Sequence, residues 1–162
     1  MRVVPLTEDL LDACAWAGSE THRGYVRQAL ARVPLGEVDF LAVLDNDGLP
    51  VSMGAVDYAR HPGEPELWML STDEARRGQG FGTVLIAGLE LAVAARGIQK
   101  VRLSVEDDNP GAYRLYGRLG YLDHGEVEQD SWQQQEEDGT VVTHHATCHV
   151  LRKALTRDPS EI

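Results

Sequence analysis

The stretch Arg76-Arg77-Gly78-Gln79-Gly80-Phe81-Gly82 lies between an apolar, strand-like run and a long amphipathic segment. The first N–H groups of a helix have no partner inside the helix. Together with the positive end of the helix dipole they make a place for an anion. Glycine at 78, 80 and 82 leaves no Cβ between those amides and a phosphate oxygen, and Arg77 adds a charge-assisted donor. The chemistry implied is the grip of a diphosphate. Read alone, the glycines fit equally well a strand-to-helix turn that needs φ > 0 for geometry and nothing else. Two nucleotide motifs are absent: no Gly-Lys-Ser/Thr follows, and Leu85 stands where the third glycine of GxGxxG belongs.

Such a loop needs a strand before it and a helix after it. Leu67–Thr72 supplies the strand, and Phe81, Leu85, Leu89 and Ala92 recur at helical spacing up to Gly97. Upstream, Val3 and Val4 read as a short strand, and Thr7 caps a helix carrying Leu10, Leu11 and Cys14. Thr21 is the expected cap of a second helix with Tyr25, Val26, Ala29, Leu30 and Val33, stopped by Pro34. Val38–Leu44 and Val51–Tyr58 form a hairpin across the Asp45–Gly48 turn. Downstream, Val101, Leu103 and Val105 alternate as a strand, and a helix capped by Asn109 buries Ala112, Leu115, Tyr116 and Leu119. Tyr121–Gln135 and Thr140–Leu151 close the chain as a hairpin over Asp138 and Gly139. The order βααβββαβαββ predicts an α+β fold in three layers: a central mixed, mostly antiparallel sheet with helices on both faces. One domain over 1–162 is expected from the length.

The net charge of −11 repels polyanions and argues against nucleic acid, while it attracts a cation such as a protonated amine. Two cysteines, Cys14 and Cys148, are too few for a disulfide framework, and the reading is a cytoplasmic protein. No stretch approaches the ~20 apolar residues of a membrane span. His145 and His149 on one strand would stand about 13 Å apart, so no metal site is expected. Trp68 and Trp132 read as core or hairpin aromatics.

Arg77-x-x-Gly80-x-Gly82 resembles the Q/R-x-x-G-x-G/A motif of the GCN5-related N-acetyltransferases. Asn109, Ala112, Leu115, Tyr116, Leu119, Gly120 and Tyr121 resemble that family's second segment, "N..A..LY...GF", closing here on Tyr121 in place of Phe. The likeness is firm from about Glu66 to Tyr121. The sequence departs from it at Glu74, where many members carry proline, and at Thr72, where a hydrophobic residue is usual.

The resemblance implies acetyl-CoA as cosubstrate and an amine as acceptor. The pyrophosphate would lie on the amides of Gly78, Gln79, Gly80, Phe81, Gly82 and Thr83. The pantetheine arm would thread between two splayed strands, meeting the backbone of Leu70, Ser71 and Thr72, with Asn109 and Ala112 beside it. The N–H near Leu70 would face the thioester oxygen. Tyr116, a phenol with a pKa near ~10, would protonate the departing thiolate, although packing alone also places an aromatic there. The base is Glu66 or Glu106 or a water chain; Glu106, Asp107 and Asp108 also simply complement a following helix. Acceptor choice would reside in Thr7–Pro34 and Glu128–His145, and a homodimer is left open. The rival reading is a catalytically silent acyl-CoA-binding module used for sensing or assembly.

Overall fold

The runs Val38–Leu44 and Pro50–Asp57 are apolar at successive positions, so both faces of the sheet they build are greasy and each needs its own cover. Seven strands form in the computed structural model, which describes residues 1–155. They are β1 (Arg2–Pro5), β2 (Val38–Leu44), β3 (Pro50–Asp57), β4 (Glu66–Thr72), β5 (Lys100–Glu106), β6 (Leu122–Gln135) and β7 (Val141–Ala154). One sheet joins them in the order β1-β2-β3-β4-β5-β7-β6. Every neighbouring pair is antiparallel except β4 and β5, which are parallel. The helices are α1 (Glu8–Asp12), α2 (Glu20–Ala31), α3 (Phe81–Ala95) and α4 (Pro110–Arg118).

On one face Val38, Phe40, Ala42, Met53 and Ala55 pack against Leu11, Cys14, Val26 and Ala29. On the other, Val43, Val56 and Leu67 pack under Phe81, Leu85, Leu89 and Val93 of α3. Each Val, Leu, Phe or Met side chain among them that is withdrawn from water contributes about 1.5–3 kcal/mol, and the two clusters fix α2 and α3 on opposite sides of the sheet. The expected three-layer fold is thus the observed one. Among the described residues no helix is long and apolar enough to cross a membrane.

Two local expectations are corrected and one short element is added. Helix α2 is capped by Ser19, whose hydroxyl accepts from His22 N, while Thr21 turns its own hydroxyl to Gln135. A 3-10 turn at Glu74–Arg76, started by Asp73 accepting from Ala75 N, precedes the glycine loop. The stripe on α4 is half-buried rather than buried, because that side of the helix borders an open cleft. The last seven residues of the 1–162 span lie outside the described residues.

Two irregularities shape that cleft. Strands β4 and β5 share a single register pair, Glu66 with Arg102, and then diverge. Strand β4 is also bulged against β3, since the register passes from Met53–Ser71 to Ala55–Trp68 and leaves Gly54 facing both Met69 and Leu70. Met69 takes φ 54°, the left-handed conformation that costs a residue with a Cβ about 1–2 kcal/mol. Gly54 makes room for the bulge, because a Cβ there would sit 2.5 Å from Leu70 Cδ2.

Candidate active site

The 15-residue helix α3 follows Gly80, which sits at the cap position and offers no side chain to cap it, whereas Thr7, Ser19 and Asn109 cap α1, α2 and α4. Its first internal backbone bond is donated by Val84 N to Gly80 O, so the N–H groups of Phe81, Gly82 and Thr83 precede the internal ladder. Gly78 and Gly80 hold φ of 77° and 87°, and an added Cβ at either would meet nothing within 4 Å. Those two glycines are therefore required by the turn. Gly82 is not, since its φ is ordinary and a Cβ would only touch Thr72 Oγ1 at 3.7 Å. Its missing side chain clears space over exposed amides, and the cradle fits a phosphate group.

The side chains around this loop divide by role. Arg76 is tied to Asp45 at 2.9 Å and lies over the Phe81 ring, whereas Arg77 is exposed. Phe81 buries its ring in the core, so only its N–H can serve a ligand. Gln79 points to a separate surface cavity shared with Asp45 and Asn46. Thr72 binds the buried Ser52 hydroxyl at 2.9 Å, which explains a polar residue at that position.

Between the splayed strands lies a cavity of about 510 Å³, lined by Leu70, Ser104, Glu106, Asn109, Ala112 and Tyr116, with Glu66 at the end where the strands still pair. Asn109 Oδ1 accepts from Ala112 N at 3.2 Å, which fixes the start of α4. The Tyr116 ring packs edge-on against Tyr121 with centroids 6.2 Å apart. Burial raises the Tyr116 pKa, so the phenol keeps its proton at neutral pH.

A second groove, of about 860 Å³, opens between α2 and the β6–β7 hairpin, with His22, Tyr25 and Trp132 on its walls. Arg60, Trp68, Met69, Glu106 and Asp130 line both spaces, so they meet beside the β4 bulge. Glu106 stands at that junction with its pKa raised by burial, by its hydrogen bond with Asp108 and by the charges of Asp130 and Asp107.

Glu66 is 3% exposed, and its carboxylate lies 3.6 Å from Arg60, 3.4 Å from His61 and 3.8 Å from Arg102. Burial raises its pKa, and the Glu128 charge adds to the shift, while the two arginines and His61 oppose it. One oxygen, Oε2, is buried with no hydrogen-bond partner among the described residues.

Two glutamate neighbours, Ser104 and Glu128, were not expected from the sequence. Glu128, Asp130 and Trp132 alternate along β6, opposite Cys148, Ala146 and His144 on β7, so they share one face of the hairpin. That period-two pattern was the available signal, hidden in a run of polar residues where neither face looks apolar.

The model of the acetyltransferase (GNAT) family matches residues 6–121. The chain belongs to that family. The GNAT match contains the glycine loop, both splayed strands and α4, while β6 and β7 lie beyond it. Among curated relatives, the mycothiol acetyltransferase of Clavibacter michiganensis subsp. michiganensis is 44% identical over 62 residues, 38% of this chain and 20% of that protein. The match therefore spans about a fifth of that relative's length. The fold is shared with the ribosomal-protein-S18-alanine N-acetyltransferase from Escherichia coli, at TM-score 0.69 and 17% identity over 99% of this chain and 97% of that one. It is also shared with an aminoglycoside 6'-N-acetyltransferase solved in complex with coenzyme A, at TM-score 0.66 and 18% identity over 98% and 99% of the two chains.

Proposed function

We propose that this GNAT chain transfers an acetyl group from acetyl-CoA to a primary amine by direct attack in a ternary complex. The observation that carries the reading is the uncapped, glycine-flanked start of α3 beside strands that part after one register pair. The amides of Gly78 to Thr83, with Arg77, hold the pyrophosphate. The backbone of Leu70, Ser71 and Thr72 pairs with the pantetheine arm, and Asn109 and Ala112 flank it. At the bulge, the N–H near Leu70 faces the thioester oxygen and stabilises the charge that develops there.

Tyr116 serves as the general acid toward the thiolate, and its raised pKa suits a group that must arrive protonated. An amine with pKa ~10.4 must lose a proton before attack. Glu66 is the base, because its carboxylate has an unpartnered oxygen and a raised pKa that favours proton uptake. Glu106 and Asp130, where the two spaces meet, attract the ammonium form of the acceptor. The larger groove holds the acceptor's body against Tyr25, Trp68 and Trp132.

The test is CoA release from acetyl-CoA with a panel of primary amines, preceded by a thermal shift screen with acetyl-CoA, CoA, ATP and NAD. Stabilisation by CoA with turnover on an amine is the expected result. Binding without turnover would point to the silent acyl-CoA-binding module.

A further inference from the structure

Three side chains from three strands form a line at the closed end of the cofactor cavity. Glu66 on β4 lies 3.4 Å from the Ser104 hydroxyl on β5, and that hydroxyl is hydrogen-bonded to Glu128 on β6. Arg102 reaches both acids, at 3.8 Å from Glu66 and 2.9 Å from Glu128. A serine hydroxyl carries one proton, so it can donate to only one of two carboxylates. With its proton directed to Glu128, its oxygen is left to accept, and Glu66 can bond to it only as the protonated acid. The arrangement is therefore complete when Glu66 holds one proton and Glu128 holds none.

We propose that Ser104 and Glu128 form an exit for the proton that Glu66 removes from the acceptor. This rests on the acetyl-transfer reading with Glu66 as base. The ammonium N–H bond breaks as the proton moves to a Glu66 oxygen. A half-turn of the carboxyl group presents that proton to Ser104 Oγ. As Oγ takes it, the original Ser104 proton passes to Glu128 Oε1. Glu66 is again a carboxylate, Ser104 is unchanged, and Glu128 is a neutral acid. The Glu128 side chain is 28% exposed against 4% for Glu66, so the proton leaves to water from the outer acid.

The charges around the pair keep the proton on the inner acid until it is drawn outward. Glu66 faces Arg60, His61, Arg102 and Glu128. Glu128 is opposite Cys148 in the register, and Arg102 and Arg60 act on it. Although burial works against its charge, the Ser104 hydroxyl and these arginines hold Glu128 below the ordinary carboxylate range, while Glu66 is held above it. At rest the inner acid keeps its proton more readily than the outer one. Transfer outward therefore runs uphill and is completed by loss to solvent, which ties turnover to pH.

The experiment compares wild type, Ser104→Ala, Ser104→Thr, Glu128→Gln and Glu66→Gln for kcat, the KM of acetyl-CoA and the pH profile of kcat. The acceptors are phenethylamine, spermidine and a peptide with a free N-terminal alanine. Ser104→Ala is expected to lower kcat on the order of tenfold, less than loss of the base itself, at unchanged acetyl-CoA KM. Ser104→Thr, which keeps the hydroxyl, is expected to restore the rate. Glu128→Gln removes a charge that raises the Glu66 pKa, so its acid limb should move to lower pH with a reduced plateau. Thermal melts identify any variant that fails to fold, and Ser104→Ala carries the test if Glu128→Gln does. Wild-type rate and pH profile in Ser104→Ala, with Glu66→Gln inactive, would overturn the exit and leave the base. A wild type that binds CoA but acetylates none of the three amines would remove the acetyl-transfer reading and the exit with it.

Discussion

Tyr116 and Glu66 make opposite demands on protonation, and burial serves both. Desolvation penalises the charged form of each, keeping a phenol protonated and a carboxylate ready to accept. Tyr116→Phe removes the proposed acid but keeps the ring against Tyr121, so kcat should fall by about 10²-fold with little change in CoA affinity. Equal turnover at every pH would remove the acid role. As the proposed base, Glu66 must be a carboxylate to act, and its folded pKa lies above the ordinary value. Activity should therefore be present above that raised pKa and lost as pH falls through it. The acid limb of kcat/KM is expected above the ordinary glutamate pKa of about 4.3. A limb at or below that value would exclude Glu66. Tyr116 and Glu66 could be named as candidates from the chain through the family resemblance, one by its place in a motif and one, beside Glu106, by its place at a strand start. Ser104 and Glu128 were not, because their meaning lies in a side-chain contact between β5 and β6, far apart in sequence.

The elements that position these groups are the bulge in β4 and the start of α3. The bulge depends on Gly54, whose absent side chain admits Leu70. Gly54→Ala should push the Leu70 and Leu85 methyl groups aside at a cost of about 1–3 kcal/mol, a fall of roughly 2–12 °C in Tm. An unchanged Tm by calorimetry would mean the close approach does not constrain the strand. Periodicity placed the strands and the long helix because alternation and the 3.6-residue repeat are local properties. The bulge left no such trace: Trp68-Met69-Leu70 reads as an unbroken apolar strand, and only the register against β3 shows the extra residue. The cap of α2 was misplaced for a related reason, since Ser19 and Thr21 are both competent caps and backbone conformation chooses between them.

At the scale of the whole molecule, the −11 charge and the carboxylates at the junction of the two spaces should steer a cationic acceptor inward. The kcat/KM for such an amine is expected to fall as ionic strength rises from about 0.01 to 1 M, over which the screening length drops from about 30 to 3 Å. A flat dependence would assign the acidity to solubility alone.

The most direct test follows the backbone amides of ¹⁵N-labelled protein during titration with CoA. The largest shifts are expected at Gly78, Gly80, Gly82 and Thr83. In Gly82→Glu those shifts should vanish while the remaining spectrum stays that of a folded protein, because the position has room for a Cβ. Saturating CoA that leaves these amides unmoved in the wild type would contradict the cradle and every role assigned around it.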